Sequence, residues 1–275
     1  MLYNATLINT GNGKDIISTN SAATSGSDEA GGIYDLGTIN PGNNDDIITS
    51  TAVVTEEGVI KSGIGIFSKG TIDTSDGNDS IISEGNFTNR GNVFLGEGND
   101  SITADTDLSD RALENFNFIG TGEGNDTITS TGFIYNEGII ETGNGDDSII
   151  VNGTDTGYGI YNNGGAINMG DGNDSIIANE GFESALNSSG AGFLGEGEDY
   201  IKGYGSGDFY GGNGNDTLEL TPGTYTVGIW GEGGESPIFT KGNQLMITSE
   251  FEKLKAGSTI YDFISLTAGQ IIVVA

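Results

Sequence analysis

The chain has 275 residues, with 40 Asp or Glu against 9 Lys or Arg, a formal net charge of −31, and neither His nor Cys. That composition excludes Ser-His-Asp hydrolases, cysteine proteases, disulfide scaffolds and zinc or iron sites ligated by His or Cys. The charge repels nucleic acid and anionic lipid, and it opposes a compact state unless cations neutralise it.

Length allows one or two domains, and 34% apolar residues is thin for an ordinary globular core. The 49 glycines show no strict third-position period, which leaves disorder or a repeat whose turns demand positive φ. The opening MLYNATLINTGNGKD has neither a basic nor a long apolar stretch, so no Sec-type signal peptide is expected. No run approaches the length of a membrane-spanning helix.

In chain order, one turn recurs: GNGKD ending at Asp15, GNNDD at Asp46, SDGND at Asp79, GEGND at Asp100, GEGND at Asp126, GNGDD at Asp147, GDGND at Asp174, GEGED at Asp199 and GNGND at Asp216. Seven of the nine match G-x-G-x-D strictly, against about one expected from composition. Three apolar rows accompany it. Three residues before each motif stand Ile8, Ile39, Ile72, Val93, Ile119, Ile140, Ile167 and Phe209, interrupted only by Gly192. Nine before stand Leu2, Ile33, Ile66, Phe87, Leu113, Ile134, Tyr161 and Leu186. Two after each Asp stand Ile17, Ile48, Ile81, Ile102, Ile128, Ile149, Ile176, Ile201 and Leu218. Three short alternating segments per repeat, bounded by Gly or Asn, predict three strands joined by turns.

The predicted fold is therefore all-β: a parallel β-solenoid of about nine coils, each of 21 or more residues, with insertions entering at one corner. Coils about 4.8 Å apart would make a rod of roughly 40 Å. Residues 1–219 form the predicted repeat region. Residues 220–275 carry strand-like segments with turn signals at Pro222-Gly223, Gly233-Gly234 and Gly242-Asn243, and read as a C-terminal β cap.

The turn suggests a cation site. Its glycines, among them Gly96, Gly98, Gly122, Gly124, Gly143, Gly145, Gly170, Gly172, Gly195, Gly197, Gly212 and Gly214, allow carbonyl oxygens to converge while the Asp side chain arrives from the turn's end. A set of carboxylate and carbonyl oxygens is what Ca²⁺ takes, and stacked turns would let several ions each draw from two neighbours. The variable places mostly hold Asn, Asp or Glu, as at Asn78, Glu97, Asn99, Glu123, Asn125, Asn144, Asp171 and Asn173; Lys14 departs from this and weakens the first site.

These turns resemble the glycine- and aspartate-rich nonapeptides of the RTX, or hemolysin-type calcium-binding, family. The match is closest in LGEGEDYIKGYGSGDFYGGNGNDTLE, 194–219, where Asp199, Asp208 and Asp216 stand nearly one nonapeptide apart. Elsewhere one motif recurs per coil, which favours a single row of ions along one edge. The resemblance implies Ca²⁺-induced folding, secretion through a type I exporter and an uncleaved C-terminal signal; the terminal IIVVA is similar to such ends.

The expected function is a secreted, non-catalytic Ca²⁺-binding rod. A catalytic solenoid acting on polysaccharide is disfavoured because the only arginines are Arg90 and Arg111 and the abundant carboxylates belong to the repeat. Ice binding through Thr rows is disfavoured by Ile82, Ile150, Ile177 and Tyr200. A rod for adhesion or surface assembly, through head-to-tail self-association or a cell-surface polysaccharide, is the remaining alternative.

Overall fold

Ser101-Ile102-Thr103-Ala104 typifies the segment after each motif: Ile102 and Ala104 are fully buried, Ser101 and Thr103 only partly. Period-two alternation of this kind builds half-buried strands, and repeating it at a fixed offset from each turn stacks them in register. The computed structural model describes residues 1–24, 31–56, 59–106, 111–153, 158–184, 191–231 and 236–275. They form an all-β parallel solenoid with three faces.

In each coil the chain passes face 1, for example Arg111–Asn115, then face 2, Phe118–Glu123, then face 3, Thr127–Ser130. Face 1 runs from Leu2–Asn4 to Phe182–Ser184. Face 2 begins at Leu7–Asn9 and face 3 at Ile16–Thr24, and both continue beyond the last motif.

The predicted rows become the core. On face 2, Ile8, Ile39, Ile72, Val93, Ile119, Ile140 and Ile167 pair one after another, followed by Gly192 and Phe209. Gly192 interrupts the row without breaking the stack: the Phe209 ring packs over it, 4.8 Å from the Phe182 ring, leaving a void of only about 20 Å³. On face 3 the row from Ile17 to Leu218 is unbroken and extends to Leu254.

Face 1 corrects one position. Ile134 pairs with Ile160, which is 1% exposed, and Tyr161 points outward beside Tyr135. An additional residue in the following turn, Asn163-Gly164-Gly165 against Glu137-Gly138, shifts the count from the motif by one. The next residue in the row is Phe182; the expected Leu186 lies outside the described residues, as does the turn at Gly233-Gly234.

After the last motif, Gln244–Ser249 adds to face 2 and Lys253–Ala256 to face 3, both still parallel. Antiparallel strands follow: Gly223–Trp230, Ser236–Lys241 and Ile271–Val274 on face 2, and Thr259–Asp262 on face 3. Faces 2 and 3 thus cross residue 219 without interruption.

Candidate metal centre

The recurrent turns stack at the corner between faces 2 and 3. Their first glycines have φ between 96° and 114°, and the third between 125° and 157°, values that L side chains rarely adopt. Stacking imposes a second demand: a Cβ on Gly122 would stand 1.9 Å from the Gly96 carbonyl oxygen of the neighbouring coil, and one on Gly124 would stand 1.8 Å from the Gly98 oxygen. The two degenerate motifs keep the conformation. Asn44 and Ser75, in glycine positions, have φ of 89° and 67°.

The motif aspartates point inward. Apart from half-buried Asp15 at the first turn, Asp46, Asp79, Asp100, Asp126, Asp147, Asp174, Asp199 and Asp216 are at most 2% exposed. Each one's Oδ1 accepts the backbone N–H of the motif Asp one coil earlier, from Asp15 N to Asp46 Oδ1 at 2.7 Å through to Asp199 N to Asp216 Oδ1 at 2.9 Å. Glu252 terminates the ladder, its Oε2 accepting Asp216 N at 2.7 Å. Glu252 was not among the expected residues, although its position two before Leu254 repeats the Asp-x-Ile spacing.

The other oxygen has no partner. Oδ2 of all nine motif aspartates is buried without a hydrogen bond. The nearby hydroxyls of Thr74, Thr121 and Thr142 donate instead to the carbonyls of Leu95, Thr142 and Met169. Burying a carboxylate oxygen unpaired is costly, and the cost appears as raised pKa values. Burial, augmented by the adjacent carboxylates, pushes Asp100 and Asp174 up to about 7 and Asp147 and Asp216 up to about 6. Burial alone raises Asp199 to about 6, against the lowering effect of the Asp174 N–H.

The variable positions serve the turn itself. At the fourth place, Asn78 Oδ1 accepts Asn99 N at 2.8 Å, Asn99 Oδ1 accepts Asn125 N at 2.7 Å, Asn125 Oδ1 accepts Asp146 N at 2.9 Å, and Asn173 Oδ1 accepts Glu198 N at 2.9 Å. At the second place, the carbonyls of Glu97, Glu123, Asn144 and Asp171 accept the third glycine's N–H one coil earlier. Their side chains are exposed. A short exposed amide or acid at the fourth place is therefore explained by hydrogen bonding between turns.

Asp208 stands apart from this column. It lies on a face 2 strand, paired with Ala191 and Ile247, with its side chain on the outer surface. The nonapeptide spacing in 194–219 thus brings Asp199 and Asp216 together and leaves Asp208 elsewhere.

Sequence reasoning also missed a second internal ladder, at the corner between faces 1 and 2. Asn89 Nδ2 donates to Asn115 Oδ1, Asn115 Nδ2 to Asn136 Oδ1 and Asn136 Nδ2 to Asn162 Oδ1, each at 2.9 Å. The signal was present: Asn4, Asp35, Ser68, Asn89, Asn115 and Asn136 each stand seven before the first residue of a motif.

Chemically, the acid corner offers a line of hard anionic oxygens sealed from water, the donor type suited to a hard divalent cation. Among the described residues no three acidic side chains converge on one point, so the acids alone do not assemble a coordination shell. In comparisons with known proteins, no family model matches the chain and no curated protein is significantly similar to it.

Proposed function

We propose that the chain is a secreted, non-catalytic Ca²⁺-binding repeat protein, of the RTX type with one turn per coil, whose folding is coupled to ions held along the acid corner. The observation that carries this reading is the row of nine buried Oδ2 atoms without partners. The residues that would hold the ions are consecutive motif aspartates, Asp15 through Asp216, with oxygens of the glycine turns between them. When bound, Ca²⁺ supplies positive charge where the column is most repulsive.

The chain's own residues do the rest. The glycines bring successive turns within carbonyl contact, and the Oδ1 ladder fixes one carboxylate oxygen so that the other faces the interior. Without a cation, adjacent carboxylates in a dry interior repel and folding is penalised. In Ca²⁺-poor cytosol the chain would stay largely unfolded and suited to export, and extracellular Ca²⁺ would fold it by mass action. The non-catalytic part rests on the absence of His and Cys and on the commitment of the motif acids to the ladder.

The test is a circular dichroism titration with calorimetric site counting. Chelated protein should be mostly coil, Ca²⁺ should generate β-structure, and Mg²⁺ should act far more weakly. A spectrum that chelator and Ca²⁺ leave unchanged at neutral pH would overturn the proposal.

A further inference from the structure

The outer surface of face 2 carries a site unrelated to the acid corner. Near the C-terminal end of the solenoid, Asp208, Tyr210, Trp230, Ser236, Ile247 and Ser249 line a concavity of about 340 Å³. Trp230, the chain's single tryptophan, is 62% exposed, an unusual placement for its largest apolar side chain. The Tyr210 ring is held by stacking on Phe193, 4.8 Å between centroids and 13° from parallel. The Asp208 side chain makes no hydrogen bond or ion pair among the described residues. Two aromatic surfaces, two hydroxyls and an uncommitted carboxylate therefore face one hollow.

A second, separate concavity lies farther along the same face. Asp208 pairs directly with Ala191, which lines this concavity of about 550 Å³ together with Phe118, Ile139 and Ala166. These residues form one outward row, Phe118, Ile139, Ala166, Ala191, Asp208 and Ile247. At strand spacing the row is about 24 Å long. Small side chains, Ala166 and Ala191, stand at its centre, with Phe118 at one end and Tyr210 and Trp230 beside the other.

The geometry points to a binding site for a neutral oligosaccharide, anchored at Trp230 and Tyr210 and extending along this row. Aromatic faces match the C–H surface of a pyranose ring, and Asp208, Ser236 and Ser249 supply acceptors and donors for its hydroxyls. Charge decides against the nearest rivals. Among the described residues no Lys or Arg lines either concavity, and a net charge of −31 repels acidic glycans and a second copy of the chain alike. The inference does not rest on the calcium reading.

The single Trp makes the site directly observable. Ca²⁺-supplemented protein, verified as folded by circular dichroism, is titrated to millimolar concentration with neutral tetrasaccharides of gluco, manno, galacto and N-acetylglucosamine configuration. At least one should give a saturable shift in tryptophan emission, with matching heat in calorimetry. Trp230→Ala and Tyr210→Ala should each weaken that binding by about tenfold or more, and Asp208→Asn should weaken it less, while leaving the dichroism spectrum unchanged. A tetragalacturonate should not bind. Absence of any response across the neutral panel, unchanged affinity in Trp230→Ala, preference for the acidic tetramer, or a response confined to a quaternary ammonium probe would each overturn the assignment. Failure of the calcium reading would show instead as insensitivity of the fold to chelator.

Discussion

In the coils from Asn4 to Asn162 two corners send a polar side chain into the interior, and they solve the problem differently. At the corner between faces 1 and 2, Asn115 donates from Nδ2 to Asn136 Oδ1 at 2.9 Å and to Ile139 O at 3.0 Å, while its Oδ1 accepts from Asn89 and from Asn117 N. An amide has donors and acceptors, so a column of amides closes on itself. At the corner between faces 2 and 3, Asp126 can only accept; Oδ1 takes the Asp100 N–H at 2.7 Å and Oδ2 takes nothing. Asp35 shows that the distinction lies in the surroundings and not in the acid itself. Set in the amide column, it receives Asn4 Nδ2 and Gly37 N at Oδ1 and Ser68 Oγ at Oδ2. One column is complete as built, and the other buries one carboxylate oxygen per turn without a hydrogen bond.

The largest expected consequence is a reversed pH response in chelated protein. Carboxylates whose folded pKa is raised favour the folded state while protonated. That contribution is complete below the unfolded value near 3.8 and is lost as pH rises through about 6 to 7, the range to which Asp100, Asp147, Asp174, Asp199 and Asp216 are raised. In chelator supplemented with a stabilising osmolyte, the medium in which a folded population can be melted without Ca²⁺, the melting temperature should therefore rise on acidification from pH 8 to pH 5. With Ca²⁺ present the order should invert, because protons and cations compete for the same oxygens. A chelated protein that melts lower at pH 5 than at pH 8 would contradict the column's burial.

Next in size is a carboxylate placed in the wrong corner. Asn115→Asp would set an anion against Asn136 Oδ1 and the Ile139 carbonyl, both acceptors. An uncompensated buried charge costs about 3–5 kcal/mol. Chemical denaturation should show that loss in Ca²⁺ and in osmolyte-supplemented chelator alike. Recovery on adding Ca²⁺ would mean that the two corners are interchangeable.

The converse change, Asp126→Asn, should alter sign with the medium. In Ca²⁺ it removes a ligand charge and lowers the melting temperature; in chelator it removes a buried anion and raises it. Each effect is of the order of 1–3 kcal/mol, the cost of one unsatisfied buried polar group. Melts of both proteins in both media form a complete cycle, and effects of one sign throughout would remove the cation from the argument.

Much of this was legible in the sequence because the solenoid converts linear spacing into vertical stacking. The rows beginning at Ile8 and Ile17 could be counted directly, since the chain between each row and its motif has constant length. Tyr161 was misplaced where that length changes, at Gly164-Gly165. The ladder from Asn4 to Asn136 was countable too but passed unread, because an inward Asn leaves no apolar signal. What spacing cannot convey is the direction of individual atoms. That Oδ1 is occupied and Oδ2 is not, that Asn99 and Asn125 brace neighbouring turns, and that Asp208 faces outward all depend on strand register. Glu252 entered the ladder unnoticed because it lies beyond the last glycine turn, on a segment with a different local sequence.

The smallest effect separates backbone from charge at the acid corner. Ser75 occupies the position that is glycine in the other copies and holds φ at 67°, its N–H bonded to Asp73 Oδ1 at 3.2 Å. That bond uses the backbone and survives substitution by glycine. Relief of a left-handed conformation, partly offset by the greater chain entropy of glycine, should make Ser75→Gly more stable by up to about 1 kcal/mol. The gain involves no carboxylate, so it should be equal in Ca²⁺ and in chelator, unlike that of Asp126→Asn. A Ser75→Gly increment that appears only with Ca²⁺ would show that turn geometry and ion binding are coupled, and that the glycines serve the ion as well as the stack.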